Sequence, residues 1–467
     1  MDGNLEVDLL VIGGGMAGLT AAAIAARKGL EVLLVEKAPA LGGSAALSSG
    51  YMWTAPTLED LQWEDPDCDP ELGTALASHF LDGIKWVQSL GVELSDEITG
   101  IYGFGRGYQV DIGKYLDRCR SALEASAGWL STGVRVQELM KHNGRVTGAR
   151  AVDRDGAEVG IEATWTLLAT GGFQGDDELR RRFIGVAADR LLLRANPYST
   201  GDGLRLGLAA GAVAVEGSGF YGHLIASPLP RFEPEDYLTF AQLHSGHCLA
   251  LNSAGSRFTD ESLGDHVTTQ ETLLQPGGKA VVVGDEHVRR NHVLSAYIKG
   301  MDIFDKLEVA GEAGARYATA ATVDELAGAM VEWGYDRAGV RRTLSDYNGL
   351  AASAPKSLDP PRSRHARPLD EPPYFALEVQ PAITFPYAGL GSNADAQVLG
   401  GGDVVPGLLA AGVDVGGVYR RGYAGALARG LVFGMRAAMT AAGEPTWRGI
   451  GTIRSRQAPR AGASSSA

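Results

Sequence analysis

The sequence predicts an α/β protein in which a parallel-sheet domain is interrupted by an inserted α+β unit. Three observations carry that expectation: the chain opens on a β-α-β pattern, a second apolar strand closes on a glycine cluster at 167–173, and a long aromatic, histidine-containing stretch separates that cluster from a glycine-rich C-terminal block. At 467 residues the chain suggests two or three packed units. Its 45% hydrophobic and 21% charged content supports a sizeable core rather than disorder.

From Glu6 to Ile12 the run EVDLLVI is apolar and β-rich, as a buried parallel strand requires. Gly13, Gly15 and Gly18 follow in G-x-G-x-x-G spacing, and LTAAAIAARK reads as a helix capped by Gly29. EVLLVE forms a second strand ending at Glu36. The first glycine permits the sharp turn, the second lets backbone touch a pyrophosphate, and the third lets helix and strand pack closely. The helix N-terminus at Met16 and Ala17 offers unpaired N–H groups to the phosphates. Glu36 stands where a carboxylate accepts from ribose hydroxyls and repels a 2′-phosphate. Strand, glycines, helix and terminal acid agree, which points to a dinucleotide.

Beyond Glu36 the chain continues KAPALGGSAALSSGYMW, which resembles the extended fingerprint of FAD-binding proteins. There Lys37, the pair Gly42 and Gly43, the hydroxylated Ser44, Ser48 and Ser49, and Gly50 line the path from ribose to flavin. The strand Thr164 to Ala169 ends in ATGG, similar to a turn of the same proteins, which marks Thr170 and Gly171. Val136 and Asp202 complete the candidate cofactor contacts upstream of the middle section. No second complete fingerprint follows, so a nicotinamide domain is not expected, and FAD is the cofactor read.

The stretch 57–100 reads mainly as helix, with Trp86, Val87 and Leu90 on an apolar face, and 113–127 as another helix. Strands between Val134 and Ala169 are broken by turn signals at Asn143-Gly144 and Asp153 to Gly156. GDGLRLGLAAGA at 201–212 is a short helix with glycine at either end. The segment 352–373 is rich in proline and charge, an exposed connector. The expected organisation is a first cofactor part at 1–218, a cap at 219–375, a second cofactor part at 376–445 and a flexible tail at 446–467.

A net charge of −14 argues against a nucleic-acid groove or an anionic membrane surface. No run reaches about 18 apolar residues, so no membrane span is expected. The opening MDGNLEVDLLVIGGG has no basic n-region or cleavage site, which predicts a soluble, cytoplasmic protein. Cys68, Cys119 and Cys248 are scattered, and the histidines lack HxxxH or HExxH spacing, so neither a disulfide framework nor a metal site is expected.

Further blocks extend the resemblance: GDGLRLGLAAGA, LNSAGSRFTDES at 251–262, ITFPYAGL at 383–390 and AAGVDVGGVYRRGYAGALARGLVFG at 410–434. Together they look like the FAD-binding family of fumarate reductase flavoproteins, tricarballylate dehydrogenase-like proteins and 3-ketosteroid dehydrogenases, over residues 5 to about 440. The resemblance implies a Rossmann-like, glutathione-reductase-like FAD domain with an inserted α+β cap. It also implies hydride transfer between flavin N5 and a carbon beside a carbonyl or carboxylate, with an external electron donor or acceptor and a small-molecule substrate. The helix from Ala424 to Met435 would aim its N-terminus, at Ala426 and Leu427, toward the flavin.

The same resemblance supplies catalytic candidates. Counted back from Val432-Phe433-Gly434, Arg421 falls on the carboxylate-gripping arginine of fumarate reductases, with Arg420 beside it. Counted forward from Gly416-Gly417, Tyr423 takes the place of a loop tyrosine in the tricarballylate type, and the gap leaves the two alternatives open. His266 follows the RFTDES block, where Arg257 and Glu261 would brace the cap against the flavin, and its ordinary pKa suits proton transfer. His223, His244 and His247 are weaker candidates, as are Tyr102, Arg106 and Tyr108 in IYGFGRGYQVD. Trp53 reads as core. Two departures stand out: Thr384 and Phe385 occupy a block where fumarate reductases carry histidine, and Val413 with Asp414 replaces the usual AGE acid. Ser44 lies near where succinate dehydrogenases attach FAD to histidine, so a non-covalent flavin is expected. The competing expectations are an oxidase or monooxygenase, or a non-catalytic FAD-binding protein.

Overall fold

The computed structural model describes residues 5–126, 128–298 and 300–444. The expected tail at 446–467 lies outside the described residues. The strand Leu5–Ile12 lies between Val32–Glu36 and Glu158–Leu168, parallel to both. Gly128–Thr132 and Val404–Ala410 extend this parallel sheet on either side. Gln397–Leu399 forms its antiparallel edge, and the hairpin Arg135–His142 with Arg145–Val152 hangs from Glu158–Leu168.

Register matters more than strand count here. Ile12 is level with Val35 and with Leu168, and Leu168 is level with Ala410. The carboxyl ends therefore finish together. Gly13, the Ala169–Gly172 turn and Gly412 form one rim at the point where strand order reverses, which is where open α/β sheets bind ligands.

The Ala-rich helix Met16–Arg27 is almost wholly buried because small side chains let it nest between the sheet and the helix Ala426–Ala441. A Cβ on Gly434 would meet the Ala17 carbonyl oxygen at 2.5 Å, so the crossing needs glycine there. The turn Asn143-Gly144 takes two positive φ angles, 50° and 82°, as a tight hairpin demands. Helix Asp202–Ala209 is bracketed by Gly201 and Gly211 in the left-handed region.

The second sheet is built on one long strand, Tyr374–Pro386. Leu192–Leu193, Phe220–Ala226, Ala280–Gly284 and Tyr317–Ala320 all pair with it, and Leu249–Leu251 adds to Ala280–Gly284. Its own core joins Val281, Val283, Leu326, Leu344 and Leu377. This sheet crosses the expected limits, since Leu192–Leu193 and the end of Tyr374–Pro386 both belong to it. The reason is local: a two-residue strand before a glycine-rich helix leaves no periodic signal, and ITFP reads as a fresh strand rather than the continuation of one.

Another difference lies at 50–110. Helices Leu58–Glu64 and Pro70–Ser89 form, but Ile98–Ile101, Gly105–Gln109 and Tyr51–Thr54 make a small antiparallel sheet where helix and loop were expected. Gly105 and Gly107 allow it, because a Cβ at either position would collide with Trp53 at 2.4–2.6 Å. Trp53 itself is buried, as core. No helix among the described residues is long and apolar enough to cross a membrane.

Candidate active site

A long cleft runs between the glycine rim of the first sheet and the face of the second. Its narrow end is lined by Glu36, Lys37, Val134, Val136 and Asp202. The Glu36 carboxylate is fixed there, accepting from the backbone N–H of Gly14 at 2.7 Å and of Ala38 at 2.7 Å. Lys37 pairs with Asp202 at 2.8 Å and closes that end.

In the middle the lining is backbone and small side chains: Gly13, Gly15, Met16, Ala17, Gly43, Ser44, Thr170 and Gly171. Gly15 is the N-cap of its helix with φ −85°, and no side chain caps the helix N–H groups. A Cβ on Gly15 would touch nothing nearer than the Gly42 carbonyl oxygen at 3.9 Å, so a side chain there would stand in the cleft itself. An uncapped helix end, a backbone wall and a ribose-level acid fit the pyrophosphate and adenosine of FAD. Ser48, Ser49, Gly412, Val413, Ala426 and Leu427 continue the lining toward the second sheet.

Four expected cofactor contacts lie outside this lining, and each does something else. Gly18 packs helix against turn, with a Cβ there meeting the Gly13 oxygen at 1.9 Å. Gly42 and Gly50 supply positive φ, and Gly50 also abuts the Val110 oxygen. Asp414 is buried behind the ATGG turn, accepting from the Thr170 N–H and, at 3.0 Å, from its hydroxyl. Burial pushes its carboxyl up to about 6, against the Thr170 bonds.

The wide end is aromatic. Tyr51, Tyr102, Tyr221, Tyr237, Tyr297, Phe385 and Tyr423 line it with Leu238, Leu243, Ile298 and Met301. Tyr423 stacks on Tyr221, ring centroids 3.6 Å apart, and its hydroxyl accepts from the Ala426 N–H at 3.0 Å. Burial pushes the Tyr423 phenol up to about 12, so it stays protonated and able to donate. Helix Ala426–Ala441 thus spends its first N–H on a phenol that faces the cleft.

Behind Tyr221 runs a chain of three groups. The Tyr221 hydroxyl bonds with His223 Nε2 at 3.1 Å, and His223 Nδ1 bonds with the Asp265 carboxylate. Tyr102 donates to the other Asp265 oxygen at 3.3 Å. Burial lowers the His223 pKa despite Asp265, so its ring is neutral at rest. Burial alone would raise Asp265, but His223 beside it outweighs that and holds the carboxyl below its ordinary value. The carboxylate therefore accepts a hydrogen bond from Nδ1–H, leaving Nε2 to accept from the Tyr221 hydroxyl.

The expected catalytic residues separate. Tyr423 is in the cleft; Arg420, Arg421 and His266 are not. Buried Asp65 accepts from the backbone N–H groups of Arg420 and Arg421, which turns both side chains outward. Arg421 is exposed and pairs with Glu271 at 2.9 Å, and Arg420 reaches the Glu216 carbonyl oxygen. His266 is fully buried, bonded through Nε2 to Glu64 at 2.9 Å, with the Tyr102 ring 5.3 Å away. Arg257 and Glu261 brace the cap internally, tying Arg362 and the Pro360 oxygen of the connector rather than the flavin side. Of the weaker candidates, Tyr102 and His223 line the cleft, whereas Arg106, Tyr108, His244 and His247 do not.

Sequence reasoning passed over Tyr221, Asp265, Arg194, Tyr237 and Tyr297. One signal was present: Tyr221 and His223 are two apart in a strand and so share a face. Asp265 adjoins a residue that had been singled out. The others carried none.

The family described as an FAD binding domain matches residues 8–426. A probable fumarate reductase of Shewanella frigidimarina (strain NCIMB 400) is 29% identical over 463 residues, covering 93% of this chain and 74% of that protein. The 4-oxocyclohex-2-ene-1-carboxylate 5-dehydrogenase of Sinomonas cyclohexanicum is 24% identical over 588 residues, covering 96% of each. Among solved structures, 3-ketosteroid-delta4-(5alpha)-dehydrogenase from Rhodococcus jostii RHA1, in complex with 4-androstene-3,17-dione, is similar with a TM-score of 0.72 and 22% identity. The match covers 95% of this chain and 98% of that one, and it shows the shared fold.

Proposed function

The chain belongs to this family of FAD-binding proteins and is an FAD-dependent oxidoreductase of carbon–carbon bonds; from that premise we propose that it acts on the bond beside a ring ketone. The observation that carries the reading is the pair formed by the Tyr423 hydroxyl and the Ala426 N–H, set against the Tyr221–His223–Asp265 chain. FAD, when bound, supplies the hydride acceptor or donor, and an external carrier exchanges electrons with it.

The residues divide the remaining work. Tyr423, protonated and oriented by the helix N-terminus, donates to the ketone oxygen and stabilises charge that develops there. Tyr221 takes the proton from the carbon beside the ketone while its own proton passes to His223 Nε2. Asp265 balances the resulting imidazolium. In reduction the same groups run in reverse. The phenyl and alkyl walls exclude water from the exchange. A dicarboxylate substrate fits less well, because among the described residues a single guanidinium, Arg194, lines the cleft.

The test is anaerobic bleaching of the yellow protein by cyclohexanone-type ketones, 3-keto steroids and succinate. A ketone should bleach the wild type and succinate should not. Tyr423→Phe should keep its flavin yet bleach about 10²–10³-fold more slowly, the usual cost of an oxyanion donor. Bleaching by succinate alone would refute the reading.

A further inference from the structure

Resting on the ketone reading, we propose that Arg194 anchors an anion in the aromatic compartment, and that the substrate is a ring ketone bearing a carboxylate. Arg194 follows the short strand Leu192–Leu193, and its N–H bonds to the Ile383 oxygen at 3.0 Å, which fixes the segment against the second sheet. The side chain lines the cleft and is 8% exposed. Its guanidinium carbon lies 3.6 Å over the Tyr237 ring and 5.8 Å from the Tyr221 ring.

What sets Arg194 apart is what it lacks. Nε and Nη1 are fully buried and bond to nothing. The other buried arginines leave one buried nitrogen unmet or none, yet every one has a partner through its guanidinium: Arg257 and Arg362 with Glu261, Arg180 with Asp177, Arg436 with Asp395, and Arg429 with the Gly412 and Val415 oxygens. A guanidinium is always charged, and burying one with unmet N–H groups is costly unless something else meets them. Asp265 feels the Arg194 charge, but its oxygens are held by His223 and Tyr102.

The geometry also selects the ligand. Tyr237 covers one face of the guanidinium, so a ligand must approach its edge rather than that face. Among the described residues one cation stands among the phenyl and alkyl walls of this compartment, which suits a monoanion. Tyr221 touches both sides of the argument: its ring stacks on Tyr423, the ketone's donor, and lies near the Arg194 guanidinium.

The experiment compares the flavin-loaded wild type with Arg194→Met and Arg194→Lys. The bleaching probes are 4-oxocyclohexane-1-carboxylate and its methyl ester; the binding probe is cyclohexanecarboxylate, which has no ketone and is followed by the shift of the flavin spectrum. In the wild type the acid should act at about 10–100-fold lower concentration than the ester, the range of a charged hydrogen-bonded pair. Arg194→Met should erase that preference, weakening the acid far more than the ester, and retain full flavin; Arg194→Lys should restore part of it. Loss of flavin from Arg194→Met would assign the residue to the cofactor and overturn the proposal, as would equal binding of cyclohexanecarboxylate to wild type and variant. Binding of cyclohexanecarboxylate that depends on Arg194, with no ketone bleaching the flavin, would uphold the anchor and sink the ketone reading alone.

Discussion

Asp265→Asn isolates the electrostatic part of the proton path. The amide keeps the shape, and its oxygen still accepts from His223 Nδ1, so Nε2 remains free for Tyr221. What disappears is the charge. When Tyr221 passes its proton on, an imidazolium forms at a side chain 4% exposed, next to a carboxylate that is 0% exposed. Unit charges about 4 Å apart attract by about 4 kcal/mol at an effective dielectric of about 20. Losing that in the transition state slows the step by about 10³-fold. Anaerobic stopped-flow bleaching with the most effective ketone reads the rate, and the same ketone deuterated beside the carbonyl reads the proton step. The isotope effect should grow in the variant as proton removal becomes slow. The acid limb gives a second reading. Bleaching falls when His223 becomes protonated, at a pH below its ordinary value because burial lowers it. Without Asp265 that limb should move further toward acid. A variant that keeps its flavin and bleaches at the wild-type rate would refute the relay.

Three other substitutions test the surrounding assignments. Arg421→Ala removes an exposed ion pair with Glu271 and should change stability by less than about 1 kcal/mol and leave bleaching rates near wild type; a large loss of turnover would return Arg421 to the site. Gly15→Val adds a Cβ whose nearest protein atom is the Gly42 oxygen at 3.9 Å, at an ordinary φ, so thermal unfolding should still be cooperative, while the flavin-to-protein absorbance ratio falls to near zero. Asp414→Asn bears on pH. The folded carboxyl titrates at about 6, above its unfolded value of 3.8, so its contribution is full below 3.8 and is lost as pH rises through about 6. The melting temperature of the flavin-free wild type should therefore drop between pH 5 and pH 8 by more than that of the variant, by the equivalent of about 1.4 kcal/mol.

The glycine-lined half of the cleft was legible because its geometry is local. Gly13, Gly15 and Glu36 lie within one strand-turn-helix-strand unit, so spacing alone fixes their relation in space. Gly18 belongs to the same motif and packs helix against turn, the task its place in the motif assigns it. The Arg421 expectation failed for a different physical reason. A count along the chain places a residue in a loop but not its side chain, and the deciding group, Asp65, sits some 355 residues upstream in a segment with no motif. The sheet at 50–110 was hidden likewise, since its glycines are explained only by Trp53 across the strand pair.

The substrate half gathers Tyr102, Arg194, Tyr221, His223, Tyr237, Asp265 and Tyr423 from segments spread over more than 300 positions, with no two in a shared motif beyond the Tyr221–His223 pair. Its logic is one of charge rather than spacing. Two ionised groups sit in the apolar wall: Asp265, whose lone pairs are taken by His223 and Tyr102, and Arg194, whose N–H groups are not taken. Asp265 can only answer a proton that arrives at His223, and Arg194 can only answer an anion that arrives from outside. The proposed ring ketone with one carboxylate meets both conditions at once, whereas a neutral ketone leaves Arg194 unmet.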